Sequence, residues 1–250
     1  VGVGNAVVVV DETADLKDAA DKIKRSKTFD FATSCSTENS LVIQEDIYDD
    51  LIEALKAEGG YLLDADEKQK LQSKMWNNGL LAREIVAQPA STIAAFAGLT
   101  IPEETSFFMV EESHVGKDYP FSGEKLSVIV TLYKYKTFQD AIDRVNEITE
   151  YQGKGHSCGI HSTNEDHILE FALKTYTSRL MVRQPQCLAN SGAWTNGMPM
   201  TLSLGCGTWG GNISGENITW KHLLNMTWVS YPIPNNQPTD EELFGDVMFD

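Results

Sequence analysis

The chain has 250 residues, a formal net charge of −16 and an apolar fraction of 42%. Size and apolar content of this order allow one large or two small globular domains with a substantial core. The acidic balance argues against nucleic acid or an anionic membrane as partner, since either demands clustered Lys and Arg to neutralise phosphate.

In chain order, the valine run 7–10 is bounded by Gly4-Asn5 and Asp11-Glu12-Thr13, the pattern of a strand buried on both faces. Within 15–27, Leu16, Ala19, Ala20 and Ile23 share one helical face, which predicts an amphipathic helix. A strand is expected near 41–44, helices near 47–57 and 66–76, and a helix starting near Ser91. Strands at 106–110 and 126–133 follow, then a helix at 138–150, a strand at 159–162, a helix at 166–176 and a strand at 179–182. Strands separated by helices predict an α/β fold with a mainly parallel sheet. Apolar residues alternate at Leu224, Met226, Trp228 and Tyr231, and an acidic, solvated tail occupies 235–250.

Four cysteines, Cys35, Cys158, Cys187 and Cys206, are too sparse for a secreted disulfide framework. No stretch has the roughly 18 apolar residues of a membrane span, and no basic-then-apolar leader opens the chain. The reading is a cytoplasmic protein with reduced thiols. The tripeptides at Asn212, Asn217 and Asn225 would then never be glycosylated.

Cys35 stands apart from the other three. Its run Ala32-Thr33-Ser34-Cys35-Ser36-Thr37 is small and polar, whereas a structural thiol usually has Val, Leu or Ile beside it. A nucleophilic thiolate needs access and nearby donors, and this run offers both; an ordinary turn cysteine is the other reading of composition alone.

Several motifs surround it in a fixed order: Gly2-Val3-Gly4-Asn5 before the valine run, Ser26-Lys27-Thr28-Phe29-Asp30 before the cysteine, Glu124-Lys125-Leu126-Ser127, Gly155-His156-Ser157-Cys158-Gly159-Ile160-His161, and Leu204-Gly205-Cys206-Gly207-Thr208-Trp209-Gly210-Gly211-Asn212. Together they closely resemble the aldehyde dehydrogenase superfamily, in its acylating, coenzyme-A-dependent branch. The likeness runs from the first residue to about Pro232. It extends to the aldehyde dehydrogenase half of bifunctional aldehyde-alcohol dehydrogenases. It implies the aldehyde dehydrogenase catalytic-domain fold, with 1–220 as the thiol-bearing catalytic domain. Residues 221–234 become an oligomerisation strand joining subunits of a homodimer or tetramer, and a nucleotide-binding half would precede this segment.

The resemblance also implies roles. Cys35 takes the place of the nucleophile. His156 takes that of the histidine beside it, where an imidazole titrating near neutrality can relay a proton. Glu124 corresponds to the glutamate contacting the nicotinamide ribose of NAD or NADP, and the 205–212 loop, with Thr208, to the substrate entrance. Arg183, with Arg179 close by, suits an aldehyde with an anionic far end such as succinate semialdehyde or sulfoacetaldehyde. Salt bridges on an acidic protein account for both arginines equally well.

Hydrolytic members carry a general-base glutamate 34 residues before the cysteine; here that position is Val1. Valine cannot activate water, so the resemblance implies release of the acyl group to coenzyme A. Oxidation to the free acid through another base, and a module inert without its nucleotide-binding half, are the rival readings. No metal is expected, because His156, His161 and His167 have neither the spacing nor the third ligand of a metal set.

Overall fold

β1 (Ala6–Val10) is buried along its whole length, as a run of β-branched residues covered on both faces should be. Its valines alternate. Val8 and Val10 face one apolar cluster and Val7 and Val9 another, so one strand anchors two cores. α1 (Leu16–Thr28) starts at Asp15, whose side chain accepts from the Lys17 and Asp18 amides, and it buries Ala19, Ala20 and Ile23.

β2 (Glu38–Gln44), α2 (Tyr48–Ala57), β3 (Gly60–Leu62) and α3 (Ala65–Met75) follow. A small antiparallel hairpin joins β4 (Trp76–Asn77) to β5 (Leu80–Leu81). Then come α4 (Ala90–Ala97), β6 (Phe107–Glu111), β7 (Ile129–Tyr135), α5 (Phe138–Tyr151), β8 (Cys158–His161), α6 (Glu165–Lys174), β9 (Leu180–Val182) and α7 (Gln186–Asn190). β3, the hairpin and α7 are too short to carry a periodic signal and were not expected from sequence.

Seven strands form one sheet in the order β3-β6-β7-β2-β1-β8-β9. Every pairing within it is parallel. Residues from α1, α2, α3 and α4 pack on the Val8 face, and α5 and α6 cover the Val7 face, giving the expected α/β architecture in three layers. Because all seven strands run one way, the residues just before them gather along one edge of the sheet and those just after along the other. That separation decides which candidate residues can meet.

The computed structural model describes residues 3–248, so Val1, which stands at the position of the hydrolytic base, lies outside them. Contacts divide the chain into a unit ending at Thr219 and a second beginning at Trp220. In the second unit, Trp220–Leu223 is a single 3-10 turn, 224–239 has no regular structure, and a short helix at Asp240–Phe244 is capped by Thr239. The strand expected over 221–234 is not formed within the single chain. A strand requires a hydrogen-bonded neighbour, and among the described residues none pairs with it. Trp220, Leu224, Met226, Trp228, Tyr231 and Ile233 are exposed.

Candidate active site

Cys35, Gly4, Glu124, His156 and Arg179 all precede strands, and the fold brings them to one sheet edge. The approach to Cys35 is conformationally unusual. Asp30, Phe31 and Ala32 have φ of 48°, 48° and 61°, a left-handed stretch that disfavours L-residues by roughly 1–2 kcal/mol each. Hydrogen bonds hold it. Lys27 Nζ donates to the Glu38 carbonyl at 2.9 Å, the Thr33 amide donates to the Asp30 carbonyl at 3.1 Å, and the Thr37 amide to the Ser34 carbonyl at 3.1 Å. The result is a half-buried thiol on a rigid turn.

His156 Nε2 lies 3.1 Å from Cys35 Sγ, and its Nδ1 lies 2.9 Å from Ser157 Oγ. With the ring proton on Nδ1, donated to Ser157, the Nε2 lone pair faces the thiol. Burial, reinforced by Arg179, pulls the His156 pKa down to about 4, so at neutral pH the ring is an uncharged proton acceptor. The Cys35 pKa is pushed up, first by burial and then by the Glu124 carboxylate. The resting pair is therefore thiol and imidazole, not thiolate and imidazolium.

Two glycines make this proximity possible. A Cβ on Gly4 would lie 2.2 Å from the Cys35 carbonyl oxygen and 2.3 Å from Glu124 Oε1. A Cβ on Gly155, whose φ is 82°, would lie 2.1 Å from the Cys206 carbonyl oxygen. The Gly4 amide donates to Glu124 Oε1 at 2.9 Å and the Glu124 amide to Gln152 at 2.9 Å, which fixes the carboxylate beside Cys35. Burial raises the Glu124 pKa. Glu124 also lines a cleft of about 530 Å³ with Val3, Trp76, Leu81 and Tyr151.

On the other side, Cys35 and His156 line a cleft of about 470 Å³ walled by Leu202, Leu204, Ile213 and Ile218. Cys206 borders it as a buried thiol, raised by that burial. Thr208 is exposed at the head of the Thr208–Gly210 turn, whereas Cys206 and Asn212 on either side of it border the cleft.

The two arginines part company. Arg183 follows β9 and donates to the Ser162 carbonyl at 3.2 Å, on the edge opposite Cys35. A strand rises about 3.3 Å per residue, which puts Arg183 roughly 13 Å along the chain from Arg179 and out of reach of a short aldehyde on Cys35. Its expected part in substrate selection is corrected on this ground. Arg179 does sit at the site, but its guanidinium is 4% exposed and consumed by structure. It donates to Asn217 Oδ1 at 2.7 Å and to the carbonyls of His156, Gly205, Gly215 and Glu216 at 2.5–3.1 Å. It clamps the 204–217 loop to the histidine and commits four of its five N–H groups to that task.

Sequence reasoning missed the buried supports. Lys27 and Lys125, both fully buried, and Glu38 surround the nucleophile turn. Lys125 Nζ donates to the Phe121 and Gly123 carbonyls at 2.7 and 2.9 Å. Burial lowers the pKa of both lysines and raises that of Glu38. Their one sequence signal was membership of the motifs around Cys35 and Glu124, which says nothing of burial.

This geometry predicts the order of thiol reactivity. Cys158 and Cys187 are buried, with pKa values pushed up to about 12, so brief alkylation should label Cys35 first. The labelling rate should climb with pH through and beyond the ordinary thiol range near 8.5, since burial and Glu124 disfavour the thiolate. Glu124→Gln should move that rise to lower pH. Peptide mapping by mass spectrometry reads both, and first labelling at Cys206, or a rate already level at pH 7, would contradict the geometry.

A thiol, an uncharged imidazole and a carboxylate thus lie together on the amino edge of a parallel α/β sheet. Residues 2–67 match the aldehyde dehydrogenase family. It is 46% identical over 250 residues to the acylating sulfoacetaldehyde dehydrogenase of Cupriavidus necator, covering 99% of this chain and 51% of that one. To the acetylating succinate-semialdehyde dehydrogenase of Clostridium kluyveri it is 32% identical, covering 98% and 54%. The crystal structure of an acetylating aldehyde dehydrogenase from Geobacillus thermoglucosidasius superposes with a TM-score of 0.91 at 36% identity, over 96% of this chain and 53% of that one. The chain spans about half the length of the curated relatives first matched.

Proposed function

We propose that this chain carries the thiol-bearing half of a coenzyme-A-acylating aldehyde dehydrogenase whose substrate is a short aldehyde with an anionic far end. The observation that carries the reading is the uncharged imidazole 3.1 Å from the Cys35 thiol. As Cys35 Sγ attacks the aldehyde carbon, its proton passes to His156 Nε2 and a carbon–sulfur bond forms. The imidazolium releases that proton to solvent, and departure of hydride from the oxyanion adduct, which a bound nicotinamide would accept, leaves a thioester on Cys35 and a neutral His156. The thiol of coenzyme A then gives its proton to His156 and takes the acyl group, and the departing Cys35 sulfur recovers a proton from the same ring. A thiol is far more easily deprotonated than water, so one neutral histidine suffices.

The residues present fit a nicotinamide cofactor. Glu124, pinned by the Gly4 amide beside an open cleft, is an acceptor suited to ribose hydroxyls. It would hold the ribose of NAD or NADP, which when bound supplies the hydride acceptor. The anionic end of the aldehyde is supported by the names of the relatives, which act on sulfoacetaldehyde and succinate semialdehyde. Arg183 adds no support, because it lies on the opposite sheet edge, and Arg179 is largely committed to the 204–217 loop. The exposed apolar residues of 220–233 support assembly as a homodimer or tetramer through this segment, which would form its strand against a second copy.

Product analysis of the full-length enzyme tests the reading. Sulfoacetaldehyde or succinate semialdehyde should yield acyl-coenzyme A and little free acid, with a higher kcat/KM than propionaldehyde. Equal turnover to free acid without coenzyme A would overturn the acylating assignment. A preference for propionaldehyde would overturn the anionic substrate.

A further inference from the structure

The sheet edge opposite Cys35 holds a second cluster that the proposed reaction does not use. Asp11, fully buried, follows β1; Glu12, exposed, is next to it; His167 lies in the first turn of α6. Their ligand atoms all fall within 4.8 Å of one another. His167 Nδ1 is 2.9 Å from Asp11 Oδ2, and the His167 ring is held by parallel stacking on Phe138 at 3.9 Å. Thr13 fixes the other Asp11 oxygen, donating to it from its amide at 2.9 Å and its hydroxyl at 2.6 Å. Oδ2 is thereby left to face the histidine.

The sheet puts a fourth group on the same face and row as Asp11. Val10 is in register with Ile43, Ile43 with Lys134, and Gln44 with Tyr135, so Asp11 continues onto the row of Gln44 and Tyr135. Strand alternation puts Asp11 on the face of Val7 and Val9, the face of Tyr133 and Tyr135. Tyr135 is 4% exposed, and its hydroxyl is buried with no hydrogen-bond partner. A buried hydroxyl left unpaired costs about 1–3 kcal/mol, and such groups are rare unless something absent completes them. Burial first, and then the charges of Asp11 and Glu12, raise the Tyr135 pKa.

We propose that Asp11, Glu12 and His167, with the Tyr135 hydroxyl behind them, bind one divalent first-row metal ion of the manganese or zinc type. Two carboxylates and an imidazole are the oxygen-and-nitrogen set such ions take. Ligands of one ion stand no further apart than about 4.4 Å, twice a bond of about 2.2 Å, so closure needs a movement of a few tenths of an ångström that exposed Glu12 can supply. The ion displaces the proton between Asp11 and His167, neutralises two adjacent carboxylates, and brings a water to which Tyr135 can donate. It ties the end of β1 to the start of α6. The sequence expectation of no metal weighed the histidines against each other and overlooked carboxylates that meet His167 only after folding.

Manganese is the probe, because the thiols of the chain compete for zinc and not for a hard cation. Titration followed by the electron paramagnetic resonance signal of free Mn2+ should show one saturable site per chain, and the thermal midpoint should rise with added Mn2+. Glu12→Gln and His167→Ala should each weaken binding at least about tenfold, while Cys35→Ser should bind as the unmodified chain does. Glu12 is exposed, so its variant keeps the test sound if His167→Ala does not fold. No saturable binding below millimolar Mn2+, or equal binding by the Glu12→Gln protein, would overturn the site.

Discussion

Arg179→Ala should lower the thermal midpoint of this chain by roughly 6–20 °C. The guanidinium is 4% exposed and satisfies four backbone carbonyls and the Asn217 side chain, so alanine leaves several buried acceptors unpaired and opens a void between the histidine segment and the 204–217 loop. Removing one partner from such a buried charged network costs about 3–5 kcal/mol. In a domain of this size each kilocalorie moves the midpoint by about 2–4 °C. Arg183→Ala removes a single, partly exposed hydrogen bond and should shift it by no more than about 4 °C. Thermal denaturation of the two variants side by side makes the comparison, and similar shifts would mean that Arg179 does not hold the loop.

His156→Ala should depress kcat for acyl transfer to coenzyme A by about 10²–10⁴-fold in the full-length enzyme, with little change in its thermal midpoint relative to Arg179→Ala. The pH dependence separates proton transfer from packing. A histidine with a pKa lowered to about 4 is protonated only in acid, so it remains a competent base down to that range. Activity of the unmodified enzyme should therefore fall as pH drops through about 4 and not through the ordinary histidine value near 6.5. His156→Gln keeps the volume and a hydrogen bond to Ser157 but cannot accept the proton, and should lose both activity and that acid limb. Full activity in His156→Gln would reduce His156 to a spacer beside Cys35.

The strands and helices of the first unit were largely legible because each long element carries a clean period. The valine run could only be a strand covered on both faces, and Leu16, Ala19, Ala20 and Ile23 could only line one side of a helix. Elements too short to complete a period, such as Gly60–Leu62 and Gln186–Asn190, left no such mark. The 221–234 segment failed differently. Its alternation is real, but alternation specifies a strand only where a neighbour supplies hydrogen bonds, and among the described residues none pairs with it.

For the site, the sequence by itself determined which residues have the chemistry: a thiol in small polar company at Cys35, an imidazole between glycine and serine at His156, a carboxylate at Glu124. These are properties of side chains and immediate neighbours, and they survive without a fold. Which of them meet was decided only by the tertiary structure, because parallel strands sort flanking residues onto two edges. Arg179 and Arg183 look equivalent in sequence; the intervening strand sends one to the nucleophile and the other to the far edge. The same sorting joins Asp11 and His167, distant in sequence, and strips His156 of water until it stays neutral. Burial and long-range proximity belong to the whole sheet, so no local pattern of residues could have announced them.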